Sequence, residues 1–239
     1  MIKLELNITL QCNLACVGCN RLCNVYRERT EHMSIAQIQK FIDQAKNNGG
    51  VSRLKVLGGE PLMHPNFVEI YNLLAQAGKD GIINHIVIES NRTLPMPKVE
   101  NHSFVSWKGR VQRKKKHQPF MWSPKDLGFN NGPQPNCPQI SKCGYSLDKY
   151  GYLPCSLAIM LARLYGYTNL YKMDFPDKSW GLEELCPNCI FSMNPAWRST
   201  YSSKTIFEHT EEERTPTKSF KEAMDKWNPE DFYRTQKEF

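Results

Sequence analysis

The run Cys12-Asn-Leu-Ala-Cys16-Val-Gly-Cys19 constrains this chain more than any other stretch. It follows Ile2-Lys-Leu-Glu-Leu-Asn-Ile8, whose apolar–polar alternation predicts a strand. Three thiols spaced by three and then two residues can wrap one face of a small iron–sulfur cluster while the backbone turns around it. A four-iron cubane with three protein thiolates keeps one iron open for a small chelating molecule. An open position marks a catalytic rather than a structural centre. Spacing alone also admits three buried or zinc-bound cysteines.

A second stretch, Gly58-Gly59-Glu60-Pro61-Leu62-Met63-His64-Pro65, narrows the choice. With the cysteines after the first strand and the glycines after the second, the chain resembles the radical S-adenosylmethionine (SAM) superfamily. The resemblance implies a [4Fe–4S] cluster on Cys12, Cys16 and Cys19, with SAM chelating the open iron through its amino and carboxylate groups. It implies that SAM is cleaved reductively to methionine and a 5′-deoxyadenosyl radical, which takes hydrogen from unactivated carbon. The protein's share is to position, tune and exclude water. Gly58 and Gly59 would let the backbone approach the SAM amino end, and Glu60 would accept from its ammonium. Ser90 and Asn91 match positions that contact the SAM ribose or carboxylate, and Ser106 matches a SAM-carboxylate position. Gly18 stands where many relatives carry an aromatic residue that packs on adenine, so adenine contact must come from elsewhere. Cys23 lies outside the motif and reads as a small apolar filler near the cluster.

The 239 residues suit one domain or one plus an appendage. No apolar run approaches the ~20 residues of a membrane span, and no signal peptide is recognisable, so a cytoplasmic address is expected. In a reducing compartment nine cysteines point to metal or redox chemistry rather than disulfides. Part of the net charge of +7 is local, in Lys108, Arg110, Arg113, Lys114, Lys115 and Lys116. Such a run attracts phosphate or nucleic acid or is simply a solvated loop, and aromatic residues for base stacking are sparse there.

Strands are expected over residues 2–8, 53–57, 85–91, 103–107 and 117–122. Helices are expected over residues 35–46, capped by Ser34, and 65–77, closed by Gly78. Alternation of this kind gives parallel pairing, with ligands gathered at the carboxyl ends of the strands. The cysteine loop, the glycine pair and Ser90–Asn91 all fall at that edge. The superfamily implies an incomplete (β/α) barrel, here over residues 1–125. Texture changes near residue 125, and a cysteine-rich unit over 126–195 and a polar segment over 196–239 follow. That last segment should hold a short helix at 218–227 and a loosely packed end.

In the second cysteine group, residues 143–155 read as a hairpin between Cys143 and Cys155, turning at 149–151. Cys186-Pro-Asn-Cys189 adds a knuckle. Four thiolates close a tetrahedral site that suits zinc or a fully ligated [4Fe–4S] cluster. The pattern resembles the SPASM/twitch extensions of radical SAM enzymes, and in its size the shorter twitch form, which implies an auxiliary [4Fe–4S] cluster. Cys143 is preferred as the fourth ligand because it begins the hairpin; Cys137 stays open.

The expected function is a radical SAM oxidoreductase. It would act on a small polar molecule (sugar-, cyclitol- or nucleotide-like, anionic if Arg110, Arg113 or His117 reach it). The resemblance implies a flavodoxin- or ferredoxin-type reductant. Peptide or RNA modification is the alternative, the first disfavoured because the chain starts directly at the first strand. A zinc-stabilised nucleic-acid-binding protein is the non-enzyme reading.

Overall fold

The alternating opening stretch becomes β1 (Ile2–Thr9) in the computed structural model, which describes residues 1–16, 19–23, 31–109, 122–129, 132–134, 136–193 and 215–239. α1 (Ile35–Asn47) starts at a capping box: the Ser34 hydroxyl accepts the Gln37 N–H and the Gln37 side chain accepts the Ser34 N–H. Ile38, Phe41, Ile42 and Ala45 form its buried stripe. β2 (Val51–Gly58) runs into a 3-10 turn at Pro61–Met63 and then α2 (Phe67–Lys79). Gly78 does not close α2 as expected. The helix runs through it to Lys79, and Gly81, at φ +72°, follows its cap; Gly78 instead makes room for the Phe104 ring, which lies 2.3 Å from where its Cβ would stand. β3 (Ile86–Ser90) and β4 (Val105–Gly109) follow. The strand expected over 117–122 and the basic residues 110–117 lie outside the described residues, Trp122 apart.

β1 to β4 pair in parallel in sequence order. The cysteine-rich half then returns to the other side of β1. There β5 (Tyr145–Asp148) pairs parallel with β1, and β6 (Gly151–Leu153) pairs antiparallel with β5. The result is an α/β fold on a mostly parallel six-stranded sheet of order β4-β3-β2-β1-β5-β6. The expected hairpin is thus present, and it widens the sheet that the first strands begin.

The two faces of this sheet differ. Leu4, Leu6, Ile8, Leu54, Val56, Ile86, Ile88 and Leu147 pack with α1 and α2 into one core. Their alternate neighbours, Glu5, Asn7, Lys55, Glu89 and Ser146, line the opposite face. Beside β5 and β6 that face is covered by α3 (Ala158–Leu164), α4 (Leu182–Leu185) and α5 (Lys218–Lys226), whose apolar residues make a second core. Beside β1 to β4 it stays largely polar, with Leu57 and Val87 the buried apolar residues on it. Parallel sheets normally bury apolar side chains on both faces.

Arg163, on α3, is 1% exposed and bonds Glu31 at 2.9 Å and Asp148 at 2.8 Å, tying the second core to β5 and to the approach to α1. Arg163→Met should cost about 3–5 kcal/mol, because it strands two buried carboxylates. A urea midpoint unchanged by that substitution would contradict the role assigned to the clamp.

The chain end is docked, not loose as expected. After α6 (Pro229–Thr235), the Phe239 N–H donates to Lys149 O at 2.8 Å, and Gln37 Nε2 donates to the Phe239 carbonyl at 3.1 Å. Among the described residues no helix is long and apolar enough to cross a membrane.

Candidate cofactor site

The carboxyl ends of β1, β2 and β3 come together as strand polarity requires. Thr9 is the register partner of Gly58, and the Gly59 and Glu60 N–H groups donate to Thr9 O and Gln11 O at 2.7 and 2.8 Å. A Cβ at Gly58 would lie 2.0 Å from the Thr9 oxygen, and one at Gly59 would lie 2.2 Å from the Gln11 oxygen. Both glycines are therefore required for the base of the cysteine loop to pack on the end of β2. Gly58, at φ +148°, also adopts a backbone angle that side chains disfavour. That is a different reason from the one the resemblance implies.

Glu60 is fully buried. Its Oε2 accepts the Asn91 N–H at 2.6 Å and its Oε1 accepts the Leu62 N–H at 3.1 Å, so it braces the end of β2 to that of β3. With both oxygens engaged and no exposure, Glu60, expected to meet the SAM ammonium, is not brought to the cavity that the cysteines line. Cys12, Cys16, Cys19, Gly58, Gly59, Ser90 and Asn91 all line one cavity of about 120 Å³. Asn91 Nδ2 lies 4.0 Å from Cys12 Sγ and donates to Asn13 Oδ1 at 2.9 Å. A typical ligand pocket needs roughly 300 Å³ or more, so ligand entry must widen the gap between the cysteine loop and the strand ends. A larger cavity, about 600 Å³ between α3 and the last two helices, holds no cysteine and none of the glycine motif.

Ser106 is not brought to this cavity. Its register partner is Val87, three residues before the edge where Ser90 meets Gly109, roughly 10 Å down the strand at 3.3 Å per residue. Its hydroxyl lies 3.2 Å from His85 Nε2 instead.

Cys23 is more than filler. Its thiol donates to Cys19, and this bond is the main reason the Cys19 thiol falls to about 6; the Arg21 and Cys23 N–H groups and the Arg21 charge add to it against burial. Burial raises Cys12. Sequence reasoning also missed Arg21, Glu5 and Glu89, which line the same cavity. The signal was there: β1 carries Glu5 and Asn7 although it is central in a parallel sheet.

His64 closes the glycine motif with both ring nitrogens used. Nε2 donates to Met33 O at 2.9 Å, and Nδ1 accepts the Asn66 N–H at 3.1 Å. Burial holds His64 below its ordinary pKa, and likewise His32, whose ring centroid is 4.8 Å away. Both lose stability when protonated. Their contribution is complete above the unfolded value of about 6.5 and is lost as pH falls through the lower folded values. Urea midpoints should drop between about pH 7 and pH 5, less steeply in His64→Gln. An identical slope in that variant would refute the assignment.

In the second group, burial pushes Cys155 up to about 12 and Cys186 up to about 11, and Cys189 well above its ordinary value. Cys137 is among the charges acting on all three. Cys143, the ligand expected from sequence, faces elsewhere. Its thiol lies 3.7 Å from Lys55 Nζ, and after burial its main electrostatic neighbours are Glu5 and Lys55. The reason is the register: Cys143 precedes β5 and turns toward β1 and β2, whereas Cys137 lies before the helical turn at Gln139–Cys143. Buried thiols that raise one another suit a cationic centre, which alone lets them ionise together. Among the described residues no three His, Cys, Asp or Glu side chains are placed to hold a single metal ion. Thiolates bound to separate irons of a cluster stand farther apart than those sharing one ion.

Residues 6–101 match the family model of the Radical SAM superfamily. Over this segment the chain is similar to radical SAM domains. The family implies a [4Fe–4S] cluster and SAM, and the three cysteines that would hold the cluster line one cavity. A SAM-dependent nucleotide dehydratase of Selenomonas ruminantium is 31% identical over 98 residues, 41% of this chain and 34% of that protein. GTP 3′,8-cyclase 1 of Mycobacterium tuberculosis (strain ATCC 25618 / H37Rv) is 31% identical over 102 residues, 42% of this chain and 28% of its own length. The matched stretch spans about a third or less of the length of these relatives. The crystal structure of BtrN in complex with AdoMet and 2-DOIA aligns over 37% of this chain and 35% of its own, at 22% identity and TM-score 0.31.

Proposed function

We propose that the chain is a radical SAM enzyme that abstracts hydrogen from a small polar substrate and completes a two-electron oxidation. The observation that carries this is the single cavity shared by Cys12, Cys16, Cys19, the two motif glycines, Ser90 and Asn91. When bound, cluster and SAM supply a 5′-deoxyadenosyl radical on one-electron reduction. Cys12, Cys16 and Cys19 hold the cluster. Asn91, beside Cys12 Sγ, and Ser90 meet the polar end of SAM, and Glu60, buried behind them, holds the Asn91 backbone in place.

The further reading is that Cys137, Cys155, Cys186 and Cys189 hold an auxiliary [4Fe–4S] cluster in a twitch-like extension. Their mutual electrostatic influence supports this set over one containing Cys143. Both cysteine groups border the same second core, which suits an electron acceptor near the substrate. A flavodoxin- or ferredoxin-type protein is the reductant in this scheme.

The test is spectroscopic and catalytic. Anaerobically reconstituted protein should show an altered electron paramagnetic resonance spectrum when SAM is added, and should release 5′-deoxyadenosine with dithionite. A spectrum indifferent to SAM would end the proposal.

A further inference from the structure

The inner face of β1 to β3 carries three charged side chains and is met by a fourth from the cysteine loop, each at least nine-tenths buried. Glu5 on β1 pairs with Arg21, from the loop after Cys19, and with Lys55 on β2 at 2.5 Å; Lys55 also lies 3.7 Å from Glu89 on β3. Arg21 Nε donates to Asn7 Oδ1 at 2.7 Å. Burial alone would raise the Glu5 carboxyl, but Arg21 and Lys55 outweigh it and hold it below its ordinary range. The alternate residues of the same strands make an apolar core on the other face, so these strands pack without charge where nothing else is required. A buried ion-pair set rarely stabilises more than apolar side chains of the same volume. Charges kept in such a place, in a cavity with convergent polar groups, point to a ligand. Three of the four line the cavity that also holds the cysteines.

We infer that Glu5, Arg21, Lys55 and Glu89 form the floor on which the substrate lies, and that the floor takes a hydroxyl- or amine-bearing polyol without a phosphate. This rests on the radical SAM reading and deepens it. Two carboxylates and two cations cancel, so the buried floor has no net charge. Hydroxyls donate to Glu5 and Glu89 and accept from Arg21 and Lys55. An ammonium pairs with Glu89. A phosphate would bring about two negative charges against two buried carboxylates. Lys108, the register partner of Glu89, is exposed and lies outside the buried set.

Saturation-transfer NMR on the cluster-loaded protein, with and without SAM, tests this using myo-inositol, glucosamine, glucose 6-phosphate and GTP. Glucosamine should bind, myo-inositol somewhat more weakly, and the two phosphates much less. Glu89→Gln leaves the contacts of Glu5 with Arg21 and Lys55 in place and should weaken glucosamine about tenfold, the loss of one charge-assisted hydrogen bond. Glu89→Lys should weaken glucosamine further and admit glucose 6-phosphate, which a merely bracing Glu89 does not predict. Tighter binding of GTP than of glucosamine, no transfer to any of the four, or unchanged affinities in both variants would overturn the inference. Polyol binding without any response to SAM would uphold the floor and sink the enzyme reading instead.

Discussion

Replacing Cys12, Cys16 and Cys19 together by alanine is expected to lower bound iron from about eight to about four per chain, one four-iron cluster's worth, and to abolish 5′-deoxyadenosine release. The fold should survive, because these cysteines are only partly buried and Cys12 and Cys19 pack at the border of the second core rather than within it. The strand ends are held by other bonds: Gly59 and Glu60 to the backbone at Thr9 and Gln11, and Glu60 to Asn91. The melting temperature of the protein prepared without iron should therefore move by no more than a few degrees. SAM cleavage that persisted in the triple variant would mean that the open iron lies elsewhere.

The next largest effect separates two neighbouring cysteines. Cys137→Ala should strip up to about four irons per chain, while Cys143→Ala should keep about eight. The electrostatic neighbours decide the order. Cys137 acts on Cys155, Cys186 and Cys189, while Cys143 sits against Lys55 and Glu5. Cys155 and Cys189 are nearly inaccessible and are strongly disfavoured as thiolates without a cation. Removing Cys137 takes away one of the four charges that balance the centre. Iron loss in Cys143→Ala with none in Cys137→Ala would reverse the ligand assignment. Zinc in place of iron, with no acid-labile sulfide, would remove the auxiliary cluster altogether.

Local chemistry was legible wherever it sits within one turn or one strand end. The capping box of Ser34 and Gln37, the hairpin turning before Gly151, and the convergence of Cys12, Cys16, Cys19, Gly58, Gly59, Ser90 and Asn91 each follow from neighbours in sequence or from strand polarity. Gly78 misled because a glycine late in a helix reads as a stop, whereas here it makes room for Phe104. Ser106 misled because a strand's serine gives no hint of its height along the sheet, which the pairing of Val87 fixes.

The sequence by itself marked the first site as one of radical SAM type, because thiol spacing and paired glycines act over distances a short loop can set. The tertiary structure alone decided that the second-half hairpin joins β1, that Cys137 rather than Cys143 acts electrostatically on Cys155, Cys186 and Cys189, and that Glu5, Arg21, Lys55 and Glu89 come together on one buried face. Those outcomes depend on strand order and register, which bring together residues such as Arg21 and Lys55, or Cys137 and Cys189, that are far apart along the chain. A shift of one residue in the pairing would turn Glu5, Lys55 and Glu89 to the opposite face.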